Sequence, residues 1–484
     1  MTGNKLGGAD RLYPRVTIEA LPDNVLLEIF ELYLGKADAD RFDLKHDYNR
    51  WQTLVHVCRR WQYVVFASPR RLDLALEIGR SANSKAMDIW PALPIVISVF
   101  AIQSKEEVTN IIAALRERDR VRKLHYYDGN DDLGIQHSLL KEIAAIDEPF
   151  PALTCLDLFS SAQKSRVLPD SFLGGSAPLL LSLYLSRISY PSIGILLSST
   201  TNLVRLTLWR IPRSGYISPE TIVPLLSMLP ELKSLGLGLE HPRSRAHRSG
   251  RHPPPLARVV FPNLTDLGLC GDIEYSEDIL SQIETPILNQ CNLYLFNQLV
   301  FDTPLLGHFI RRTETFMTIN RAHVTFSPSY VEVSLEERPY SYEKALQLNI
   351  TCQPLDWQLS AVVQILNSFL PFLPHLERLS LSIECDDHYP QGELELIQWR
   401  EFLRPFTSVK DMTLESQDSV RLVAPALQEL AGEKTTEVLP ALQNLFIWTL
   451  SHEQPLSGPD KEAIELFSAT RQYPVTVHYK NCPF

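Results

Sequence analysis

Leu203-Val204-Arg205-Leu206-Thr207-Leu208 carries leucines at the first, fourth and sixth positions. Leu206 and Leu208 are two apart, the period of a strand with one buried face. The same unit recurs with an apolar or small residue tolerated at each anchor, usually just after Pro or Thr. It reads Val121-Leu124-Tyr126, Leu153-Leu156-Leu158, Leu180-Leu183-Leu185, Leu203-Leu206-Leu208, Leu232-Leu235-Leu237, Leu264-Leu267-Leu269 and Leu288-Cys291-Leu293, with first anchors 23 to 32 residues apart. After a gap of 88 residues it returns as Leu376-Leu379-Leu381, Val409-Met412-Leu414 and Leu442-Leu445-Ile447, each 33 apart. Inside the gap, Val331-Val333-Leu335 and Leu346-Leu348-Ile350 alternate as strands, so the gap is expected to hold two or three degenerate units, one with a hairpin.

A strand of about four residues, a turn, a helix and a return fill about 20–29 residues in a leucine-rich repeat. The intervening segments supply helices. Trp357 to Leu370 places Leu359, Val362, Val363, Leu366, Phe369 and Leu370 on one face and is stopped by Pro371. Ser218-Pro219 marks a second helix start, and Glu277 to Ile283 reads as a third helix capped by Ser276. Ten units in near-regular series predict a curved, irregular solenoid over residues 69–484, with a parallel sheet on the concave face and helices on the other. Before the series, Leu72, Leu74 and Leu76 alternate, Ile95 to Phe100 reads as a fully buried strand, and Glu106 to Arg118 reads as a helix.

The chain has 484 residues, 45% of them apolar and 21% charged, as expected of a folded chain with ample core. A net charge of −11 argues against general nucleic-acid or anionic-membrane binding, which need a basic surface. The seven cysteines are scattered and odd in number, with no CxxC pair. Neither a disulfide framework nor a zinc ribbon is expected, and a reducing compartment, cytosol or nucleus, fits. Met1 to Arg15 holds no apolar run like a signal peptide, and Ile95 to Ile102 is too short to span a bilayer. No membrane partner is expected. The basic stretch His241 to Pro255 reads as a flexible loop leaving the solenoid, able to meet an acidic or phosphorylated partner or to serve as a nuclear-import signal.

Residues 1–17 read as disordered. The segment that follows has a different period. Leu26, Ile29, Phe30 and Tyr33 share one helix face after Pro22 and Asp23, and Trp51, Leu54, Val55 and Cys58, extended by Trp61 and Val65, repeat that spacing. Two short amphipathic helices must pack on each other and on something else. The order Leu21-Pro22-Asp23-Asn24-Val25-Leu26, then Ile29-Phe30, then Val57-Cys58-Arg59-Arg60-Trp61 resembles an F-box. That resemblance implies docking on a Skp1-like adaptor and, through it, on a cullin–RING ubiquitin ligase. It implies Leu21, Pro22, Leu26, Ile29, Val57, Cys58 and Trp61 as adaptor-facing or motif-shaping positions within residues 18–68. Residues 35–50 form a polar insertion where the family has a brief turn. Nearly end to end, the chain resembles fungal F-box proteins with irregular leucine-rich repeats. The phrases that carry this are Leu208 to Glu220, Pro354 to Ser360, Leu403 to Thr407 and Thr435 to Gln443. The fold class expected is therefore α/β, a helical F-box followed by the solenoid.

Catalytic patterns are missing from the sequence: no GxGxxG, Walker loop, GxSxG or HExxH is found. Cys385-Asp386-Asp387-His388 reads as a surface loop before a metal site, and His56 as packed or solvated. No cofactor, metal or enzyme activity is expected. In the repeats, residues between and just after the leucines face the concave side, where Tyr127, Phe159, Tyr184, Arg205, Trp209, Tyr294 and Trp448 are candidates for holding a target protein. Gly236, Gly238 and Gly268 are expected to leave open space among them. The reading is a non-catalytic substrate receptor of a Skp1–cullin–F-box ligase. The alternatives are a ligase-independent interaction scaffold or an unrecognised hydrolase.

Overall fold

The structure is a computed structural model that describes residues 18–35, 48–79, 86–100, 102, 104–128, 135–161, 166–242, 257–296, 298, 300–301, 303–336, 344–352, 355–369, 373–384, 393–429, 438–449, 458–471 and 474–481. The segment 1–17, most of the polar insertion, the basic stretch from 243 and Cys385 to His388 lie outside the described residues. The chain forms two compact units, Met1–Tyr126 with Asp131–Glu142, and Tyr127–Asn130 with Ile143–Phe484.

The first unit begins with α1 (Asp23–Leu34), α2 (Gln52–Val55) and α3 (Arg59–Ala67). Sequence periodicity predicts one helix through 51–65, but the chain breaks between α2 and α3. The Val57 N–H donates to the Leu54 carbonyl at 3.3 Å, and Cys58 is extended (φ −161, ψ 167) as the N-cap of α3. The break takes Cys58 off the apolar stripe and leaves it exposed. Strands β1 (Leu76–Ile78), β2 (Ile95–Val99) and β3 (Val121–Asp128) follow, with α4 (Lys105–Arg116) between β2 and β3. Ser104 caps α4 by accepting from the Glu107 N–H at 3.2 Å. β1 pairs parallel with β2, and β2 with β3. Of the alternating Leu72, Leu74 and Leu76, only Leu76 enters a strand, although all three are buried.

One hydrophobic cluster unites these parts and runs across residue 68: Leu26, Phe30, Trp51, Leu54, Val55, Val64, Val65, Leu72, Leu74, Leu76 and Leu93. The Trp51 indole N–H donates to the Ala75 carbonyl at 2.8 Å, satisfying the polar atom of a buried ring. The end of the insertion is pinned to the same strands. Asn49 accepts from the Glu77 N–H at 3.2 Å, and Lys123 donates to the Tyr48 hydroxyl at 3.0 Å.

The second unit holds β4 (Cys155–Ser160), β5 (Ser182–Ser186), β6 (Arg205–Ile211), β7 (Ser234–Leu239), β8 (Asp266–Gly271), β9 (Gln290–Leu295), β10 (Arg321–Ser327), β11 (Tyr330–Leu335), β12 (Leu346–Thr351), β13 (Arg378–Ile383), β14 (Asp411–Leu414), β15 (Asn444–Thr449) and β16 (Thr476–Asn481). They form one sheet in the order β4-β5-β6-β7-β8-β9-β12-β11-β10-β13-β14-β15-β16. All neighbours are parallel except the β10–β11 and β11–β12 pairs. Every anchor of the ten sequence units is buried, because each unit sends its three apolar side chains to the face that the helices cover. The helices are α5 (Ile193–Ser198), α6 (Pro219–Leu226), α7 (Ile273–Gln282), α8 (Pro304–Arg312), α9 (Leu355–Phe369), α10 (Glu393–Leu403), α11 (Gln417–Glu429) and α12 (Pro459–Ala469), each packed on the next. This is a mixed α/β fold of leucine-rich-repeat type.

The long gap does hold a hairpin. The chain leaves β9, crosses to β10, turns back through β11 and returns antiparallel as β12, which then fills the place beside β9 in parallel register, Leu293 opposite Leu348. α7 starts earlier than its sequence signals suggest, with Asp272 rather than Ser276 at the N-cap; Ser276 is buried inside the helix. Glu277 serves the neighbouring helix instead. Its buried carboxylate accepts from the Leu305 and Leu306 N–H groups at 2.8 and 3.0 Å, capping α8. β16 was not legible as a repeat, yet it extends the parallel sheet.

Candidate functional site

Two surfaces carry the sequence candidates. On the N-terminal helices the seven adaptor candidates divide. Leu26 is 0% exposed and belongs to the core with Phe30, so its side chain shapes the motif and presents nothing outward. Leu21 and Trp61 pack on the same cluster, and the Trp61 ring lies 4.8 Å from that of Phe30. Pro22, Ile29, Val57 and Cys58 are exposed.

The expected single apolar face of α1 is thus two faces. Leu26 and Phe30 point inward, while Ile29 (39% exposed), Leu32 (85%) and Tyr33 form an outward row at i, i+3 and i+4. Val57 is 58% exposed and Tyr63 on α3 is 72% exposed. Leu32 and Tyr63 were missed from sequence; the three-residue step from Ile29 to Leu32 was the available signal. The helices are held in place by Arg60, which pairs with Asp23 at 2.6 Å and donates to the Leu21 carbonyl at 2.6 Å, and by Arg71, which pairs with Glu31. Tyr33 is fixed by Thr53 at 3.0 Å and by the Arg50 guanidinium 4.7 Å above its ring.

On the sheet of the second unit, the face away from the leucines carries the other candidates, and the structure sorts them into three groups. Tyr127 stacks on Phe159 with ring centroids 4.2 Å apart and planes at 12°. Burial pushes the Tyr127 phenol up, helped by Tyr184 and Asp157 nearby. Arg205 and Trp209 stand on β6 and Tyr294 on β9. Trp448 on β15 lies nine strands from β6 in the sheet order, on the order of 40 Å at ordinary strand spacing, and so is not brought together with Trp209. Beside it, Phe446 stacks on His478 at 4.8 Å.

The glycines are not open space. A Cβ on Gly238 would stand 2.8 Å from Trp209 Cε3, and one on Gly268 would meet Trp209 Cζ3 at 3.9 Å. The indole therefore lies across β7 and β8 on a glycine floor and reaches the Tyr294 ring edge-on, 5.7 Å between centroids at 86°. Gly236 is filled by Thr207 in the same way, its Cβ position 3.1 Å from Thr207 Cγ2.

Next to Tyr294 the face becomes polar. Glu332 on β11 pairs with Lys344 and accepts from Gln347 Nε2 at 2.8 Å. Burial, then Glu332, pushes the Tyr294 phenol up. His323 on β10 lies between Glu336, 3.7 Å from Nδ1, and Glu415, 3.3 Å from Nε2. Burial alone would lower its pKa, but its interaction with the two flanking carboxylates outweighs burial and raises it to about 9. The thiols of Cys270, Cys291 and Cys352 are pushed up by burial to about 11, 12 and 12, far from thiolate chemistry.

Among the described residues, no helix is long and apolar enough to cross a membrane. No family model matches the chain, and no curated protein matches it. Among solved structures, the chain is similar to the leucine-rich repeat-containing protein LegL7 from Legionella pneumophila, at 15% identity over 72% of this chain and 98% of that one, with a TM-score of 0.28. The repeat architecture rests on the strand register and buried anchors described above.

Proposed function

We propose that this chain is a non-catalytic receptor that joins a target protein to a Skp1–cullin–RING ubiquitin ligase, working in the cytosol or nucleus. The observation that carries the reading is the outward row Ile29, Leu32 and Tyr33 on a helix whose other face is already buried. A short helix that is apolar on both sides needs a second covering surface. The F-box resemblance of residues 18–68 supplies the partner: a Skp1-like adaptor lying on that row, with Pro22, Val57 and Cys58 as further contacts. Leu21, Leu26 and Trp61 act by shaping the motif from inside.

The sheet face of the second unit then holds the target. Aromatic and arginine side chains on rigid strands suit this role, since such anchors dominate protein interfaces. Catalysis would come from proximity: tethering turns a bimolecular encounter with target lysines into a local one. Co-purification tests the reading. The receptor should bring down both the adaptor and a cullin. Adaptor without cullin would favour a ligase-independent scaffold, and neither would overturn the F-box assignment.

A further inference from the structure

We infer that the sheet face around Trp209 takes an acidic segment of the captured protein, with an Asp or Glu carboxylate on Arg210 and a neighbouring apolar side chain on the indole. This rests on the reading that the sheet face is the capture surface, and it names the chemistry of what is captured.

Two adjacent strands leave the sheet in the same unusual way. Ser186 of β5 lies opposite Trp209 of β6, so Arg187 and Arg210 follow at equivalent places. Both are left-handed, with φ of 57 and 49. That region disfavours any side chain with a Cβ and would be cheaper for glycine or asparagine. Arg187 has a visible use: its guanidinium donates to the Ser161 carbonyl at 3.1 Å and pairs with Glu240 at 3.4 Å. Arg210 has none. It is exposed, and among the described residues it makes no hydrogen bond or ion pair. A strained residue without an internal role points to an external one.

The surroundings fix the chemistry. Arg210 follows Trp209 directly in the chain and is exposed, and its charge opposes the effect of burial on the thiol of Cys270, which flanks the indole at Gly238. Trp209 has one face on Gly238 and Gly268 and its edge on Tyr294. Arg213, three residues on, is also exposed, while nearby Glu240 is already paired with Arg187. In a chain of net charge −11, this corner presents positive charge that no described residue pairs, beside an apolar plate. The planar guanidinium fork matches a carboxylate, and the plate suits an adjacent apolar side chain.

The test is selection of displayed random dodecapeptides on the immobilised full chain, followed by fluorescence anisotropy with the enriched peptides. The expected result is enrichment of Asp or Glu next to a large apolar residue. Affinity should fall at least about tenfold when that acid becomes Asn or Gln, since a charge-assisted bond is lost. Arg210→Gly should give the same loss while melting no lower than wild type, because glycine suits a φ of 49. Enrichment without acidic preference, or equal affinity for Arg210→Gly, overturns the inference. If such non-acidic peptides are nonetheless lost on Trp209→Ala, the capture face stands and only the acidic partner falls. If no peptide is enriched, both fall.

Discussion

Alanine at Gly238 tests the indole–glycine packing directly. In a strand interior, glycine is normally worse than alanine by about 0.5–1 kcal/mol, so the exchange should stabilise if nothing lay above it. Here the new methyl would stand 2.8 Å from Trp209 Cε3, 3.1 Å from Trp209 Cδ2 and 3.1 Å from Cys270 Cβ. A rigid ring that also abuts Tyr294 cannot yield as a flexible chain end would, and overpacking of this kind costs about 1–3 kcal/mol. The net expectation is a loss of about 0.5–2 kcal/mol. In a Trp209→Ala background the ring is gone and only the contact with Cys270 Cβ at 3.1 Å remains, so the same change should cost little or become neutral. The coupling across the double-mutant cycle is therefore about 1–3 kcal/mol. Hydrogen exchange of the amides in 234–239 and 266–271 reads the local opening energy of the strands on either side of the packing. Additive effects within about 0.5 kcal/mol would refute the account, since independent sites add to that tolerance.

Gly307→Ala should destabilise α8 against α9, because a Cβ there runs into the backbone carbonyl of Ser368, which cannot move aside. A loss of about 1–3 kcal/mol despite alanine's better helix propensity is expected in thermal melts. His323 predicts a pH effect with a definite sign. Its pKa is raised, to about 9, so its stabilisation is fully present below the ordinary histidine value and is lost as pH rises towards 9. The melting temperature of wild type should fall over that window by more than that of His323→Gln. Equal pH profiles would contradict the pairing with Glu336 and Glu415.

Much of the second unit was legible because its signal is local: Leu206 and Leu208 announce a strand, and the nine such units it holds are buried as their period requires, as is the Val121-Leu124-Tyr126 unit of the first. The order of β10, β11 and β12 was not, since alternation in Val331 to Leu335 marks a strand without naming its neighbour. β16 escapes a leucine-based reading because Val475, Val477 and Tyr479 alternate without a leucine pair. The site was harder still. Helical spacing put Leu26 and Ile29 on one face, whereas the cluster built by Trp51, Val65 and Leu74 takes Leu26 and leaves Ile29 outside. Which side of a helix with apolar residues on two faces is buried depends on residues tens of positions away. Gly238 and Gly268 similarly read as space in the sequence, whereas the indole from β6 fills it.

The central claim is that the outward row on α1 binds a Skp1-like adaptor, and calorimetric titration of the purified adaptor into the full chain tests it most directly. Wild type should bind, and Ile29→Asp with Leu32→Asp, both at exposed positions that leave the core untouched, should weaken binding about a thousandfold, as loss of two interface anchors worth about 2 kcal/mol each implies. A wild-type chain that does not bind, or a double variant that binds as tightly, would contradict it.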